Sequence, residues 1–262
     1  MKVIISPAKK MNVREDLLPY ETLPVFLEQT ESLKDHLKKQ DRKTLQAIWK
    51  CNDSITDLNI KRLEAMDLTK MLTPAVLSYE GLQYQHMAPA VFNDKQWEYI
   101  KEHLYILSGF YGLLRAADGI VPYRLEMQAV LKNWHTNSLY HFWKDSLAME
   151  LLSENNCILN LASKEYSKCI TPYLREDTMF VTCVFGEMRN GKVIEKGTYA
   201  KMARGEMVRF MAEKKIKYIE GIKDFNRLGY SFQQELSNET TYIFVKNIFS
   251  DRESCELKSK IS

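Results

Sequence analysis

The sequence predicts an α+β protein: a single mixed α/β domain in which helices surround a central, mostly buried sheet. Two observations predict it. Short apolar runs at Val3 to Ile5, Cys157 to Leu161, Met179 to Phe185 and Thr241 to Lys246 have the length and composition of buried strands. Between them lie longer stretches with apolar residues at helical spacing, and no repeat, low-complexity tract or linker divides the chain. One domain is therefore expected over residues 1–250, with 251–262 a charged, frayed tail.

The totals agree with a globular protein. At 262 residues and 45% hydrophobic content the chain can bury a real core. Its 37 basic and 34 acidic residues leave a formal charge of +3, so the bulk field is weak and an anion-binding surface has to come from local clustering. The five cysteines, Cys51, Cys157, Cys169, Cys183 and Cys255, are scattered and odd in number, which fits reduced thiols and no zinc ribbon or disulfide framework. The apolar start before Pro7 is too short for a signal peptide, and no run approaches the roughly 20 apolar residues that span a bilayer. A cytoplasmic protein without membrane contact is expected.

Taken in order, Val3 to Ile5 ends at Ser6-Pro7 because proline cannot donate to a ladder. Lys9 and Lys10 then sit just past a strand end, where ligands commonly bind in α/β proteins, though two solvated lysines are the plainer reading. Phe26, Leu33 and Leu37 mark an amphipathic helix from Thr22 to about Gln40. Asp41 can cap a helix over Arg42 to Trp49, and a third covers Asn52 to Ala65. Pro74 breaks the rhythm, and Ala75 to Tyr79 reads as a strand before Gly81.

The stretch Leu107-Ser108-Gly109-Phe110-Tyr111-Gly112-Leu113-Leu114-Arg115 stands out. Asn93 and Gln96 form a capping box ahead of Trp97, Ile100, Leu104 and Leu107 at helical spacing, so the local reading is helix, glycine turn, helix, over about 93–118. Glycine reaches positive φ and admits close backbone approach, so the turn's amides can face an anion. The alternative is an ordinary turn that packs Phe110 and Tyr111 into the core. Downstream, Asp118-Gly119 is a turn, and Pro122 keeps Val121 to Met127 extended. Alternation then puts Arg124 and Glu126 on one face, either as a salt bridge or as a guanidinium held ready for a phosphate.

Asn137 can cap a helix through Leu139, Phe142, Trp143, Leu147 and Leu151. Asn160, inside an apolar strand, needs hydrogen-bond partners, because a buried unpaired amide costs roughly 1–3 kcal/mol. Ser163, Glu165 and Tyr166 follow that strand as a second polar cluster. Asn190-Gly191 is the strongest hairpin signal in the chain. Thr198 then caps a helix in which Lys201 and Arg204 share a face near its start, against the macrodipole. Either an anion sits nearby or they are solvated or paired with Glu206 or Asp177. No His-Glu-x-x-His pattern occurs, so neither a metal nor a cofactor is expected.

Several blocks together resemble the YaaA family of bacterial peroxide-stress resistance proteins over nearly the full length. They are Ser6-Pro7-Ala8-Lys9; Leu107-Ser108-Gly109 with Tyr111-Gly112 and Leu114-Arg115; Pro122 to Met127; Asn160 to Ser163 with Glu165-Tyr166; and Tyr199 to Lys201 with Ala203-Arg204-Gly205. The resemblance implies an unusual mixed α/β fold, a helix-hairpin-helix element, binding to double-stranded DNA and a role in limiting iron-driven oxidative damage. By position it puts the hairpin on Ser108 to Leu114 and the basic cleft on Lys9, Arg115, Arg124, Lys201 and Arg204. Ala116 stands where members often carry proline.

Two functions lead, and a third, direct iron binding, has the scattered cysteines and histidines against it. In the first, the glycine hairpin (Ser108, Gly109, Tyr111, Gly112) and the five cations grip DNA phosphates. In the second, the chain is an enzyme acting on a small anionic molecule such as a nucleotide, with Glu126, Glu165, Ser163, Tyr123 and Tyr166 as candidate catalytic groups. The first expects an open basic groove and the second an enclosed pocket. Oligomeric state is left open by the sequence.

Overall fold

The computed structural model describes residues 1–14, 18–131, 134, 136 and 138–247. The expected cap Asn137, Cys255 and the tail 251–262 lie outside the described residues. The sheet has eight strands: β1 (Lys2–Ile5), β2 (Leu104–Ser108), β3 (Gly112–Arg115), β4 (Cys157–Leu161), β5 (Met179–Arg189), β6 (Lys192–Ile194), β7 (Tyr230–Phe232) and β8 (Thr241–Lys246). Val3, Ile4 and Ile5 are buried because β1 lies in the middle, parallel to β4 on one side and β2 on the other, with Ile5 opposite both Leu161 and Ile106. A strand covered on both faces reads as continuous apolar sequence, and β1, β2 and β4 all do.

Across the sheet the order is β7, β8, β5, β4, β1, β2, β3. From β8 to β2 every pairing is parallel, and antiparallel partners close the two edges. After β1 the chain adds β2 on one side, then β4, β5 and β8 on the other. The direction of winding therefore reverses between β1 and β4. Loops leaving the carboxyl ends of those two strands diverge there and open a crevice.

Helices surround the sheet: α1 (Leu27–Lys38), α2 (Arg42–Trp49), α3 (Asp53–Glu64), α4 (Leu82–Met87), α5 (Asp94–His103), α6 (Leu139–Trp143), α7 (Ser146–Leu151) and α8 (Gly197–Lys214). Three of the caps read from sequence are present. Asp41 accepts from the Thr44 amide, Asn52 from the Ile55 amide, and Asn93 and Gln96 form a complete capping box. Asn190 (φ 48°) and Gly191 (φ 73°) turn β5 back into β6, both in the left-handed region that this hairpin demands. Asn160 finds its partners: its side chain donates to Thr182 Oγ1 at 3.2 Å and accepts from the Ala162 amide at 2.9 Å.

Five expectations are corrected. The expected helix, glycine turn, helix over 93–118 is a helix followed by a β-hairpin. α5 stops at His103, Leu104 to Ser108 join the sheet, and Gly112 pairs with Ser108 across the turn. The apolar spacing of Leu104 and Leu107 fits a helix, but Ile106 between them is also fully buried, which only a two-sided strand explains. Ala75 to Tyr79 is a one-turn helix, Ala75–Ser78, followed by a two-residue strand, Tyr79–Glu80. The helix expected through Leu139 and Leu151 breaks at Lys144, whose φ of 45° cannot continue it. Thr198 sits inside α8, with Lys196 before the helix as its first flanking residue. The helix expected from Thr22 begins only at Leu27, while Thr22 pairs with Asp118.

Among the described residues no helix is long and apolar enough to cross a membrane.

Candidate functional site

The crevice at the ends of β1 and β4 is a cleft of about 370 Å³. Ser6, the first residue past β1, ties the two loops together: its Oγ accepts from the Ser163 amide at 2.9 Å and donates to Ser163 Oγ at 3.3 Å. Tyr84, from α4, donates to the Ser6 carbonyl at 2.9 Å. One wall is therefore the β1 and β4 loops, and another is α4, which packs on α8. Gly205 makes that packing possible, because a Cβ there would run into the Gln83 carbonyl oxygen. The same approach brings Lys201 and Arg204 of α8 to the cleft beside Gln83 and Tyr84.

The third wall is the extended segment after β3. Tyr123, Leu125 and Met127 are buried while Arg124 and Glu126 are turned toward the cleft, the alternation the sequence predicts, although no ladder forms. Glu126 sits between two cations: Oε2 is 3.0 Å from Lys9 Nζ, and Oε1 is 3.1 Å from Arg124 Nη2. The second contact is an ion pair by distance only. The N–H does not point at the oxygen, and Glu126 Oε1 and Arg124 Nε are both buried without a hydrogen-bond partner.

Here the glycine turn acquires its role. Gly109 has no room for a Cβ, which would lie 2.7 Å from the Leu125 carbonyl oxygen, so the turn is the seat on which the Arg124–Glu126 segment rests. Its amides are already used, since Phe110 and Tyr111 donate to Ser108 Oγ at 3.1 and 2.9 Å. Ser108 Oγ also meets the Tyr123 hydroxyl at 2.6 Å, and Tyr123 meets Tyr79 at 2.7 Å. With both lone pairs taken by amides, Ser108 must donate to Tyr123. Phe110 and Tyr111 are 1% and 0% exposed, so the alternative reading, a turn packed into the core, is the one realised. Gly112 (φ 74°) is packed against Trp143 and Leu147.

Of the expected cations, Lys9, Arg124, Lys201 and Arg204 share the cleft with Glu126, Glu165, Ser163, Tyr123 and Tyr166. Arg115 does not. It lies at the opposite end of the sheet, paired in register with Tyr105 and 3.6 Å from Glu150. Ser108, Gly109, Tyr111 and Gly112 are buried behind the cleft, not in it. Arg204 pairs with Glu195 at 3.2 Å, neither Glu206 nor Asp177. Reading the sequence alone missed Ser6, Tyr84 and Glu195. Ser6 carried a signal, its place at the end of the first strand.

Electrostatically Glu165 is the carboxyl of the cleft whose pKa its surroundings raise. Glu165 is partly buried and its carboxyl is held above the ordinary range, first by burial and further by Glu126, against a hydrogen bond from the Gln128 amide at 3.3 Å. Burial lowers the Arg204 pKa, with Glu195 opposing, yet a guanidinium stays charged at any working pH. Burial raises the Tyr166 hydroxyl well above its usual value and pushes Tyr123 up to about 12, so both are protonated donors at neutral pH. Two buried guanidiniums, a hydroxyl and a carboxyl with raised pKa can bind an anion and exchange a proton with it. Among the described residues no group of three His, Cys, Asp or Glu side chains is gathered to hold a metal ion.

Comparison with known proteins gives the same grouping of residues a family. A UPF0246 protein of Desulfitobacterium hafniense is 54% identical over 246 residues, covering 94% of this chain and 98% of its own. One from Lachnoclostridium phytofermentans is also 54% identical over 246 residues, covering 94% and 96%. One from Agathobacter rectalis is 51% identical over 248 residues, covering 95% and 100%. The family model described as peroxide stress protein YaaA matches residues 1–236, which include every wall of the cleft, and the chain belongs to that family.

Proposed function

We propose that this member of the peroxide stress family works in the cytoplasm by holding a compact anionic molecule, such as a nucleotide, in the cleft, with Glu165 as the group that exchanges a proton with it. The observation that carries this reading is the pair Arg124 and Arg204. Their side chains are only 10% and 13% exposed and open into one cavity of about 370 Å³. Removing a guanidinium from water is unfavourable unless anions compensate it, and each has one carboxylate beside a fork able to serve more. The volume is of the size that small-molecule sites have. Thermal-shift measurement against nucleoside and sugar phosphates tests the reading. At least one should raise Tm in the native protein and fail to do so in Arg124→Ala; no stabilisation by any of them sinks it.

Binding of double-stranded DNA through phosphates is the second reading, favoured by the exposed lysines Lys9, Lys10 and Lys201 around the same cleft. It expects affinity for unrelated duplexes to fall steeply between about 50 and 200 mM salt, and a flat salt dependence removes it. Either ligand serves the proposed wider role of limiting iron-driven oxidative damage. A strain lacking the protein and supplied with Arg124→Ala should remain peroxide-sensitive, and an iron chelator should protect it.

A further inference from the structure

We infer that the cleft selects a sugar phosphate over a bare phosphate, with Glu126 accepting from a ring hydroxyl while Arg124 and Arg204 hold the phosphate. This inference rests on the anion-binding reading and adds which anion. Four buried polar atoms belonging to residues that line one cavity lack hydrogen-bond partners: Gln83 Nε2, Arg124 Nε, Arg204 Nε and Glu126 Oε1. Three of them are donors and one is an acceptor, so the fitting ligand carries both kinds of group.

A phosphate or carboxylate supplies acceptors only. It would satisfy the arginines and leave Glu126 Oε1, ion-paired with Arg124 at 3.1 Å, still without a hydrogen-bond donor. The deoxyribose-phosphate backbone of a duplex has the same shortage, because its linking sugar oxygens carry no hydrogen. A free sugar hydroxyl both donates and accepts. An ammonium group also donates, but Glu126 already has Lys9 Nζ at 3.0 Å and Arg124 Nη2 at 3.1 Å, and a further cation there is repelled. Ser163 supplies one more donor for the anionic end. Its Oγ accepts from Ser6, and its own hydrogen has no protein acceptor among the hydrogen bonds it forms.

Titration calorimetry on the full chain tests this with ribose 5-phosphate, AMP, 2′-deoxy-AMP, 3′-deoxy-AMP and inorganic phosphate. The expected result is that AMP or ribose 5-phosphate binds and that at least one deoxy form binds at least about tenfold more weakly than AMP, as a site built to pair a hydroxyl rejects an analogue lacking it. In Glu126→Ala the three adenosine phosphates should bind alike, while inorganic phosphate binds as well as before or better. Glu126→Gln keeps an acceptor oxygen and should retain the preference, which a merely structural role for this residue would not produce. Equal binding of AMP and both deoxy forms overturns the inference, as does binding of inorganic phosphate alone; in either case anion binding itself still stands. If none of the five binds, the anion-binding reading falls with it.

Discussion

The turn from Leu107 to Arg115 and the segment from Val121 to Met127 look equally functional in sequence, and the fold treats them oppositely. The turn satisfies its own backbone: Ser108 Oγ takes two amides, Trp143 Nε1 donates to the Gly109 carbonyl at 3.1 Å, and the aromatics vanish into the core. The segment has no ladder, and it lays alternate side chains on either side, apolar inward and charged toward the cleft. Glycine spacing thus marks where backbones press together, while charge alternating with apolar residues marks where a ligand can be met. The first supports the second, since Gly109 is the surface on which Leu125 and Glu126 lie.

Breaking the support should have the largest effect. In Gly109→Ala the new methyl meets the Leu125 carbonyl oxygen at 2.7 Å, and backbone has to move. A loss of about 1–3 kcal/mol in urea unfolding is expected, together with weaker ligand binding. Next comes the contrast between two arginines that sequence reading weighted alike. Arg124→Ala should weaken anion binding about tenfold or more, roughly 1.4 kcal/mol, whereas Arg115→Ala, at the far end of the sheet, should leave calorimetric affinity unchanged. Equal losses from both would mean that the cleft is not the site.

A smaller effect is expected from Glu165. Its folded-state pKa lies above its ordinary 4.5, so the folded protein holds that proton more tightly than the unfolded chain. Its contribution is therefore fully present below pH 4.5 and is lost as pH rises through the higher folded value. Glu165→Gln should flatten that part of a stability-against-pH curve, and an unchanged slope would contradict the assignment. The smallest change is expected at the thiols. Burial raises Cys157, Cys169 and Cys183, with Cys169 pushed up to about 12, so at neutral pH they stay protonated and are weak nucleophiles. Iodoacetamide should label Cys169 and Cys183 in the native protein far more slowly than after unfolding. Fast labelling would point to thiol chemistry in place of the cleft.

Much of the fold was legible because local chemistry decides it. Asp41, Asn52 and Asn93 cap helices with their own side chains, and Asn190-Gly191 selects its turn unaided. The glycine stretch misled because its outcome depends on a distant partner. Leu104 to Ser108 are drawn out of helix by β1, which lies about a hundred residues earlier, and no window around Leu107 contains that information. Within the site, Lys9, Arg124, Glu126 and Ser163 were readable from strand ends and alternation. Arg115 was not separable from Arg124, since only the pairing of β2 with β3 shows that it faces the other end of the sheet.

The meeting of α4 and α8 at Gly205 has a mechanical consequence. With the Gln83 carbonyl pressed where a side chain would stand, the two helices are in close contact, and Tyr84, Lys201 and Arg204 are held beside one another by that packing. Lys10 and Asn12 pin Glu80 at the neighbouring rim. For the ligand proposed above, walls already packed in this way would leave less of the binding energy to be spent on ordering them.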